Sequence, residues 1–432
     1  MKRIKQTIKT NKYLIAILSA YLLLQLVFVI IGGISPQSDS DGYVRLAKEA
    51  IERGEAYPSS FDFIFPYIWN SGYINFIALC LALFNSITSV IIIQAIMNTL
   101  SALFLFLFVE KTLKKRSIAW VCFVLFVLYP SNLAHTASAL TEVPFFFFFI
   151  SGFYFSICKN KWLNLLGGIL FALANWVRPL LIMFVPVLIY YLYKEKELRK
   201  LVPTFVGLAF MILIIGGDVY LRTGRFIFQA NTSWYNIAMT CDDDAPGTFN
   251  SKVFEEGEPM YIPDRNTMDY REINKIYKER CIDYMIKNPL KMIKQIPNRF
   301  IRFYLNDTSC IWAFVPDKKE KTTKEIVTEG ATSTIWTKFP HYDTFQYIFI
   351  YSQLYYYFIL ITFVAGAIKA YRKKEATLAT PFLLILVGTL LTIAVISVNR
   401  YHHALIPFMM IFSAYYLSDV GFVKRIMSHA KI

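Results

Sequence analysis

Long apolar runs alternate with short basic clusters along almost all of this 432-residue sequence. Runs such as 14–33, 87–109 and 201–220 reach the roughly 20 residues that a helix needs to cross the hydrocarbon core of a bilayer. With 56% apolar and only 17% charged residues, the chain is too hydrophobic to form one soluble domain. The alternation therefore predicts an all-α polytopic membrane protein.

The formal net charge of +15 comes from basic residues in short clusters between the apolar runs. Such clusters mark the cytoplasmic loops of membrane proteins, so the charge is explained without a nucleic-acid partner. The basic N-terminal segment leads into an apolar run of span length that lacks a small-residue cleavage site. We therefore expect an uncleaved first span and not a signal peptide.

Placing every strongly basic short loop on one side gives about ten spans with both termini in the cytoplasm. The predicted spans are residues 14–33, 87–109, 118–133, 142–157, 163–177, 179–193, 201–220, 347–369, 380–398 and 404–418. The shorter stretch 69–84 contains polar residues, and we expect an interfacial or re-entrant helix there on the outer side. Three regions follow: a transmembrane module (1–220) with a first outer loop (34–86), an extracytoplasmic loop module (221–345) and C-terminal transmembrane helices (346–432).

The first outer loop begins with two carboxylates, Asp39 and Asp41, at the start of a short amphipathic segment. From Tyr43 onward apolar residues recur at helical spacing as far as Gly54, which supplies a C-terminal stop. We expect a helix that lies along the membrane surface. Each aspartate could simply cap this helix, but one of them can cap while the other stays free for chemistry.

Two further polar positions fall at the outer ends of predicted spans. Glu142 opens a span beside five consecutive phenylalanines; the helix dipole favours an acid there, yet a charge at that depth is costly. Arg178 precedes Pro179 where two apolar segments meet. A proline in the first helical turn would aim the helix N-terminus and the guanidinium at one place, forming an anion site suited to phosphate. The alternative for Arg178 is an interfacial side chain that snorkels.

A fourth polar group, residues 399–403, lies between the last two predicted spans. Its adjacent histidines, His402 and His403, suggest a metal. However, neighbouring side chains diverge on a helix and no zinc-binding spacing accompanies them, so no metal ligand is assigned. Arg400 is a candidate second cation for phosphate, with a plain interfacial anchor as the alternative.

The long outer segment carries a helical pattern from about 269 to 304, which we expect to be broken at Pro289 and at Pro297. Three cysteines share this segment, and one disulfide among them is allowed by the sequence: Cys241, Cys281 and Cys310.

Five segments in order carry a family resemblance: DSDGYVRLAKEAIERGEAYP, IWNSGYINFIALCLALFNSI, LYPSNLAHTASALTEVPFF, NWVRPLLIMFVPVLIYYL and NRYHHALIPF. They resemble the polyprenyl-phosphate-sugar-dependent glycosyltransferases of the GT-C superfamily, including the protein O-mannosyltransferase and lipid A aminoarabinose transferase families. The family's Asp followed by a Tyr four residues on matches Asp39 and Tyr43. Asn70 and Ser71 replace the family's usual prolines, and the basic residue beside them is absent. The likeness covers roughly the first 200 residues and the last 40.

The resemblance implies a GT-C-like enzyme that takes a sugar from a polyprenyl-phosphate-linked donor, inverts its anomeric centre and transfers it to an acceptor hydroxyl. Its candidate catalytic carboxylates are Asp39, Asp41 and Glu142, and the tyrosine spacing favours Asp39 as the base. Its candidate substrate-binding residues are Tyr43, Arg178, Arg400, Tyr401 and His402. No cofactor is required, and a divalent metal is allowed but not needed.

The implied setting is a bacterial plasma membrane with the site facing outward, where the acceptor could be protein, lipid or glycan. Part of the phosphate site would come from Lys291, Lys294 or Arg299. Two other classes stay open. A lipid-linked sugar transporter or flippase predicts paired mid-membrane charges in repeated halves, which the sequence lacks. A membrane oligosaccharide ligase or polymerase would rely on outer-loop arginine and histidine, for which Arg400 and His402 are candidates.

Overall fold

A computed structural model describes residues 12–32, 39–242, 249–307 and 344–429, and these parts form helices joined by turns, with no strand among them. In the first half the helices are α1 (Lys12–Gly32), α2 (Ser40–Arg53), α3 (Ser71–Phe84), α4 (Ile87–Leu113), α5 (Arg116–Val127), α6 (Pro130–Ala137), α7 (Glu142–Ser156), α8 (Lys161–Val177), α9 (Leu181–Lys194) and α10 (Leu201–Thr223). In the second half they are α11 (Ser233–Ala238), α12 (Tyr270–Lys287), α13 (Pro289–Tyr304), α14 (Thr344–Arg372), α15 (Ala379–Val395), α16 (Ile406–Leu417) and α17 (Gly421–His429).

Five helices in the described ranges are long and apolar enough to cross a membrane, which fits a multi-pass membrane protein. These spans are Lys12–Ile30, Ile87–Leu113, Leu198–Thr223, Tyr347–Arg372 and Ala376–Val395. Four other apolar helices are shorter: Ser71–Phe84, Glu142–Ser156, Lys161–Val177 and Ile406–Leu417. A total of ten spans needs several short helices to cross as well, and that number stays a prediction.

The predicted span 118–133 is not one continuous helix, although the two helices that form over it are together apolar enough to cross a membrane. The chain forms α5 and α6 instead, and these two helices meet at an angle of 53°. Tyr129 is extended at the break, and Pro130 then occupies the first turn of α6. Proline lacks the N–H that would continue α5, but its fixed φ suits the start of a new helix. Beyond this break α6 is buried along most of its length.

Helix α7 lies inside the bundle against α4 and α8, and its phenylalanines explain why. Phe145, Phe149 and Phe153 follow the four-residue spacing of one helix face, and all three are fully buried. On another side α8 approaches so closely that a Cβ on Gly167 would lie 2.4 Å from the Ser156 hydroxyl. This packing holds the N-terminus of α7, and Glu142 with it, at a fixed place.

The predicted amphipathic helix of the first outer loop is confirmed as α2. Tyr43, Leu46, Ala47 and Ala50 form its buried face, which packs on α3. Gly54 ends the helix with φ +66°, a left-handed conformation that glycine adopts without a Cβ clash.

The predicted outer helical pattern is confirmed at Pro289 but was wrong at Pro297. Asn288 separates α12 from α13, whereas Pro297 lies inside α13. The missing proline N–H is tolerated because tertiary contacts hold the helix beyond it: Arg299 donates to the Ile393 carbonyl at 2.8 Å. Tertiary packing thus outweighs the tendency of Pro297 to end the helix.

Cys241 and Cys281 lie together in a small core between α11 and α12, whereas Cys310 falls outside the described residues. Hydrogen bonding from Cys281 lowers the pKa of Cys241, and both thiols are fully buried beside each other.

A small-molecule disulfide oxidant is therefore expected to join Cys241 to Cys281. Closing this loop would raise the free energy of unfolding by up to about 4 kcal/mol. Peptide mass spectrometry of the non-reduced protein should show the cross-linked pair, with buried Cys122 in α5 still a free thiol. Failure of the pair to form, with both peptides recovered as thiols, would contradict the placement.

Candidate functional site

Four charged side chains from distant parts of the sequence form one continuous set of ion pairs, which we call the acid–arginine cluster: Asp39, Glu142, Arg178 and Arg400. Arg400 Nη2 lies 2.6 Å from Asp39 Oδ2, and Arg400 Nε lies 3.1 Å from Glu142 Oε1. Arg178 Nη1 donates to the same Glu142 oxygen at 3.0 Å. Glu142, Arg178 and Arg400, which the sequence analysis singled out separately, thus lie together with Asp39.

Glu142 is the buried centre of the cluster. It is the first residue of α7, and only 1% of its side chain is exposed. A buried carboxylate is stable only when it is paired, and here the single oxygen Oε1 forms ion pairs with both arginines. The N-terminal end of α7 adds its own partial positive charge. Glu142 therefore holds Arg178 and Arg400 side by side.

Arg178 ends α8 in an extended conformation, and its guanidinium lies 4.5 Å from the centre of the Tyr401 ring. The prediction that Pro179 sits in the first turn of the next helix was wrong, because α9 begins at Leu181. Arg178 instead takes its position from Glu142 and from a cation–π contact with Tyr401.

Arg400 belongs to the 3₁₀ turn Asn399–Ala404 that joins α15 to α16, and only 12% of its side chain is exposed. Burial alone would lower the pKa of Arg400, but Glu142 and Asp39 raise it well above its ordinary value. Its Nη1 group is buried and has no hydrogen-bond partner among the residues that the structure describes. A buried donor of this kind is costly unless an acceptor reaches it.

Asp39 occupies the N-cap position of α2, yet its side chain makes no capping hydrogen bond and pairs with Arg400 instead. About a third of the side chain, 34%, is exposed, so one face of the carboxylate can be reached from outside. Asp41 lies in the first turn of α2 and points away, where it lines an exposed groove with Arg45. The structure therefore brings Asp39 to the cluster and leaves Asp41 outside it.

Tyr43 and its neighbours hold the start of α2 against α3. The Tyr43 ring packs edge-on against Trp69 and Tyr73, and its hydroxyl accepts a hydrogen bond of 2.8 Å from Asn70 Nδ2. Burial raises the pKa of Tyr43. The hydroxyl thus stays protonated, and Asn70, which stands where the resembling family has proline, supplies a polar contact.

Glycine permits two close approaches around the cluster. A Cβ on Gly42 would lie 2.9 Å from the Trp69 ring, and one on Gly72 would lie 2.6 Å from the Trp176 carbonyl carbon. Such distances are too short for a real side chain. The two glycines therefore bring α2 against the segment before α3, and α3 against the end of α8 that carries Arg178.

His402 does not join the cluster. Its ring is fully buried, with Nδ1 against the Phe303 carbonyl and Nε2 3.2 Å from Asp307 Oδ1. Sequence reasoning missed Asp307, although a carboxylate directly after the aromatic run of α13 carries the same signal that marked Glu142 beside its phenylalanines.

The outer-loop cations proposed for the phosphate site are placed elsewhere. Arg299 lies on the buried face of α13, where it donates to the Ile393 carbonyl and, at 2.5 Å, to Gln295 Oε1. Lys291 and Lys294 lie on the exposed side of that helix. The acid–arginine cluster therefore balances two arginines against two carboxylates.

Searches against protein-family models and against curated proteins found no match for this sequence. What the cluster does must therefore be reasoned from its own geometry.

Glu142→Gln is expected to lower the free energy of unfolding by about 3–5 kcal/mol, because it leaves buried arginine charge without its counter-ion. The matched change Glu49→Gln removes a partner of exposed Arg45 and should cost about 0–1 kcal/mol. Thermal unfolding of the purified variants in one detergent compares the two. Equal midpoints would show that the cluster is not a buried ion-pair network.

Proposed function

We propose that this chain is an inverting membrane glycosyltransferase that moves a sugar from a polyprenyl-phosphate-linked donor to an acceptor hydroxyl. The observation that supports this most directly is the ion pair between Arg400 and the partly exposed Asp39. Beside it lies an arginine donor for which the described residues supply no acceptor. A cation that binds phosphate and a carboxylate that takes a proton are the two groups that such a transfer needs.

The phosphate would bind Arg400 through Nη1 and would also contact the guanidinium of Arg178. Arginine suits this task because its planar, permanently charged guanidinium donates several hydrogen bonds to phosphate oxygens. Glu142 fixes both guanidinium groups through one oxygen, so their positions are set before the donor arrives. The leaving group is a phosphate, already a good anion, and needs positive charge more than it needs a general acid.

The balance of charges in the cluster suggests an exchange of partners. Without a donor, Asp39 takes up one of the Arg400 N–H groups. A phosphate that binds Arg400 Nη1 and also reaches the neighbouring Nη2 competes with Asp39 for that group, because both partners are oxygen anions. Donor binding thereby releases Asp39 toward the acceptor, and the base is available only when the sugar is in place.

In the transfer step the acceptor oxygen attacks the anomeric carbon from the face opposite the phosphate. Its proton passes to Asp39, the carbon–oxygen bond to the phosphate breaks, and the electron pair leaves on the phosphate oxygen. One displacement of this kind inverts the anomeric centre. In this scheme Glu142 is a positioning residue, Tyr43 and Asn70 support the loop, and Asp41 has no part.

The proposed setting is a plasma membrane crossed about ten times, with the cluster at its outer face and no cofactor required. The apolar surfaces of the helices, with exposed residues such as Leu83 and Phe84 at the end of α3, would contact lipid and accommodate the polyprenyl chain.

A comparison of cells with and without this chain tests the proposal. Mass spectrometry of envelope glycans, lipids and proteins should reveal a sugar that disappears when the chain is deleted. The wild-type chain and Asp41→Asn should restore it, whereas Asp39→Asn should not. Identical sugar profiles in the two strains, under conditions where the chain is produced, would count against the proposal.

A further inference from the structure

A second polar cluster lies directly beside the first and involves residues that the proposed transfer does not use. His135 in α6, Asp307 after α13 and His403 in the turn after α15 each offer a ligand atom within 4.8 Å of the others. All three residues are buried, with 1%, 1% and 6% of their surfaces exposed. The two imidazole rings lie 3.8 Å apart, centre to centre.

Apolar packing alone does not account for this grouping. Bringing two imidazoles and a carboxylate out of water is costly unless their polar atoms are satisfied. Asp307 is well satisfied, but His403 Nδ1 is buried and has no hydrogen-bond partner within the described ranges. A neutral imidazole binds a metal ion through the lone pair of a ring nitrogen, and a ring nitrogen without a hydrogen-bond partner is available for this.

We propose that His135, Asp307 and His403 bind a divalent transition-metal ion of the Zn²⁺ class. Two imidazole nitrogens and one carboxylate oxygen form a ligand set that zinc accepts, and a fourth position would remain for water. With metal–ligand bonds of about 2.0–2.1 Å, tetrahedral ligands stand about 3.4 Å apart, so the side chains need only close in slightly.

The surroundings are those of a supported metal site. Asp307 Oδ2 accepts hydrogen bonds from the Tyr129 hydroxyl and, at 2.5 Å, from the Ser131 hydroxyl, while Oδ1 faces His402. Partners of this kind orient a ligating carboxylate.

The ion would join three segments that are otherwise far apart in sequence: the end of the broken α5–α6 pair, the end of α13 and the 3₁₀ turn after α15. Arg400 lies three residues before His403 in that turn. The metal is thereby assigned a structural role, which is to fix the turn that carries Arg400. The inference is independent of the chemistry that Arg400 performs, because it concerns binding and stability.

The test uses the full chain, purified in detergent through a tag that contains no histidine, stripped with a chelator and then given Zn²⁺. We expect one tightly held zinc per chain by elemental analysis, and a rise in the unfolding midpoint that excess chelator reverses. His403→Ala and His135→Ala should lose both effects. The matched variant His429→Ala, at the end of α17, should keep them.

Co²⁺ provides a test that needs no variant to fold. Bound to the wild-type chain, it should give the strong visible absorption of a tetrahedral nitrogen and oxygen site, and Zn²⁺ should displace it. The proposal is overturned if the wild-type chain retains no stoichiometric metal and gives no such spectrum. It is equally overturned if His403→Ala and His135→Ala fold and bind zinc as the wild type does, because the ion is then adventitious.

Discussion

Arg400→Ala is expected to reduce sugar transfer by about 10²–10³-fold, the loss that follows removal of one preorganised donor from a site of developing negative charge. Arg400 pairs with both Asp39 and Glu142 and has the buried Nη1 donor, and no other side chain in the described ranges makes this set of contacts. The assay measures the rate of sugar transfer by the purified chain. The donor is a lipid extract, containing polyprenyl-linked sugars, from cells that produce the chain. The acceptor is the one identified by comparing cells with and without the chain.

Two variants accompany this measurement. Arg400→Lys keeps the charge but loses the planar fork, so it should restore only a small part of the rate. Arg45→Ala removes an exposed arginine of α2, whose side chain is 58% exposed, and should leave the rate within about twofold of wild type. If Arg400→Lys transferred sugar at the full rate, the positive charge alone would suffice. The arrangement of the Arg400 guanidinium between Asp39 and Glu142 would then not be needed for transfer.

Asp39→Asn is expected to lower the rate of transfer by about 10²–10⁴-fold while leaving donor binding intact or tighter. The amide cannot take the acceptor's proton, but its loss of charge removes the competitor for Arg400. The effect should therefore fall on kcat and not on KM for the donor. Asp41→Asn, two residues away on the exposed side of α2, should change neither quantity.

This pair of predictions separates the proposal from its rivals. If Asp39→Asn keeps full transfer activity while Arg400→Ala abolishes it, the first-loop base is wrong, and a ligase or polymerase that depends on outer-loop arginine is favoured. If neither variant affects transfer but both alter lipid-linked sugar movement across vesicles, a flippase is favoured. Equal loss of activity in Asp39→Asn and Asp41→Asn would show that neither aspartate has a specific role.

Periodicity and turn chemistry predicted much of the local structure. Helix α2 follows directly from the spacing of Tyr43, Leu46, Ala47 and Ala50 and from the stop at Gly54. The long apolar helices follow from composition. The errors concern proline: Pro179 precedes a helix instead of lying in its first turn, and Pro297 lies inside a helix that it was expected to break. Pro130 adds a break within a predicted span. Whether proline breaks a helix depends on tertiary contacts that sequence spacing does not contain.

For the candidate site, the sequence predicted the segments but not their pairing. Placing basic loops on one side brought Asp39, Glu142, Arg178 and Arg400 to a common face, yet nothing in the sequence says which carboxylate meets which arginine. His135 and Asp307 were missed because a single polar residue beside an apolar or aromatic run does not show which other residues lie next to it in the fold. Their partners come from distant parts of the sequence.

The most direct test of the acid–arginine cluster measures the binding of a polyprenyl phosphate to the purified chain in nanodiscs, with the matching polyprenol as the uncharged control. The account predicts saturable binding of the phosphate but not of the alcohol. Arg400→Ala and Arg178→Ala should weaken it by about tenfold to a hundredfold, since each removes a hydrogen bond to a charged group. Asp39→Asn should bind at least as tightly as wild type. Equal binding of phosphate and alcohol, or unchanged affinity in both folded arginine variants, would contradict the account.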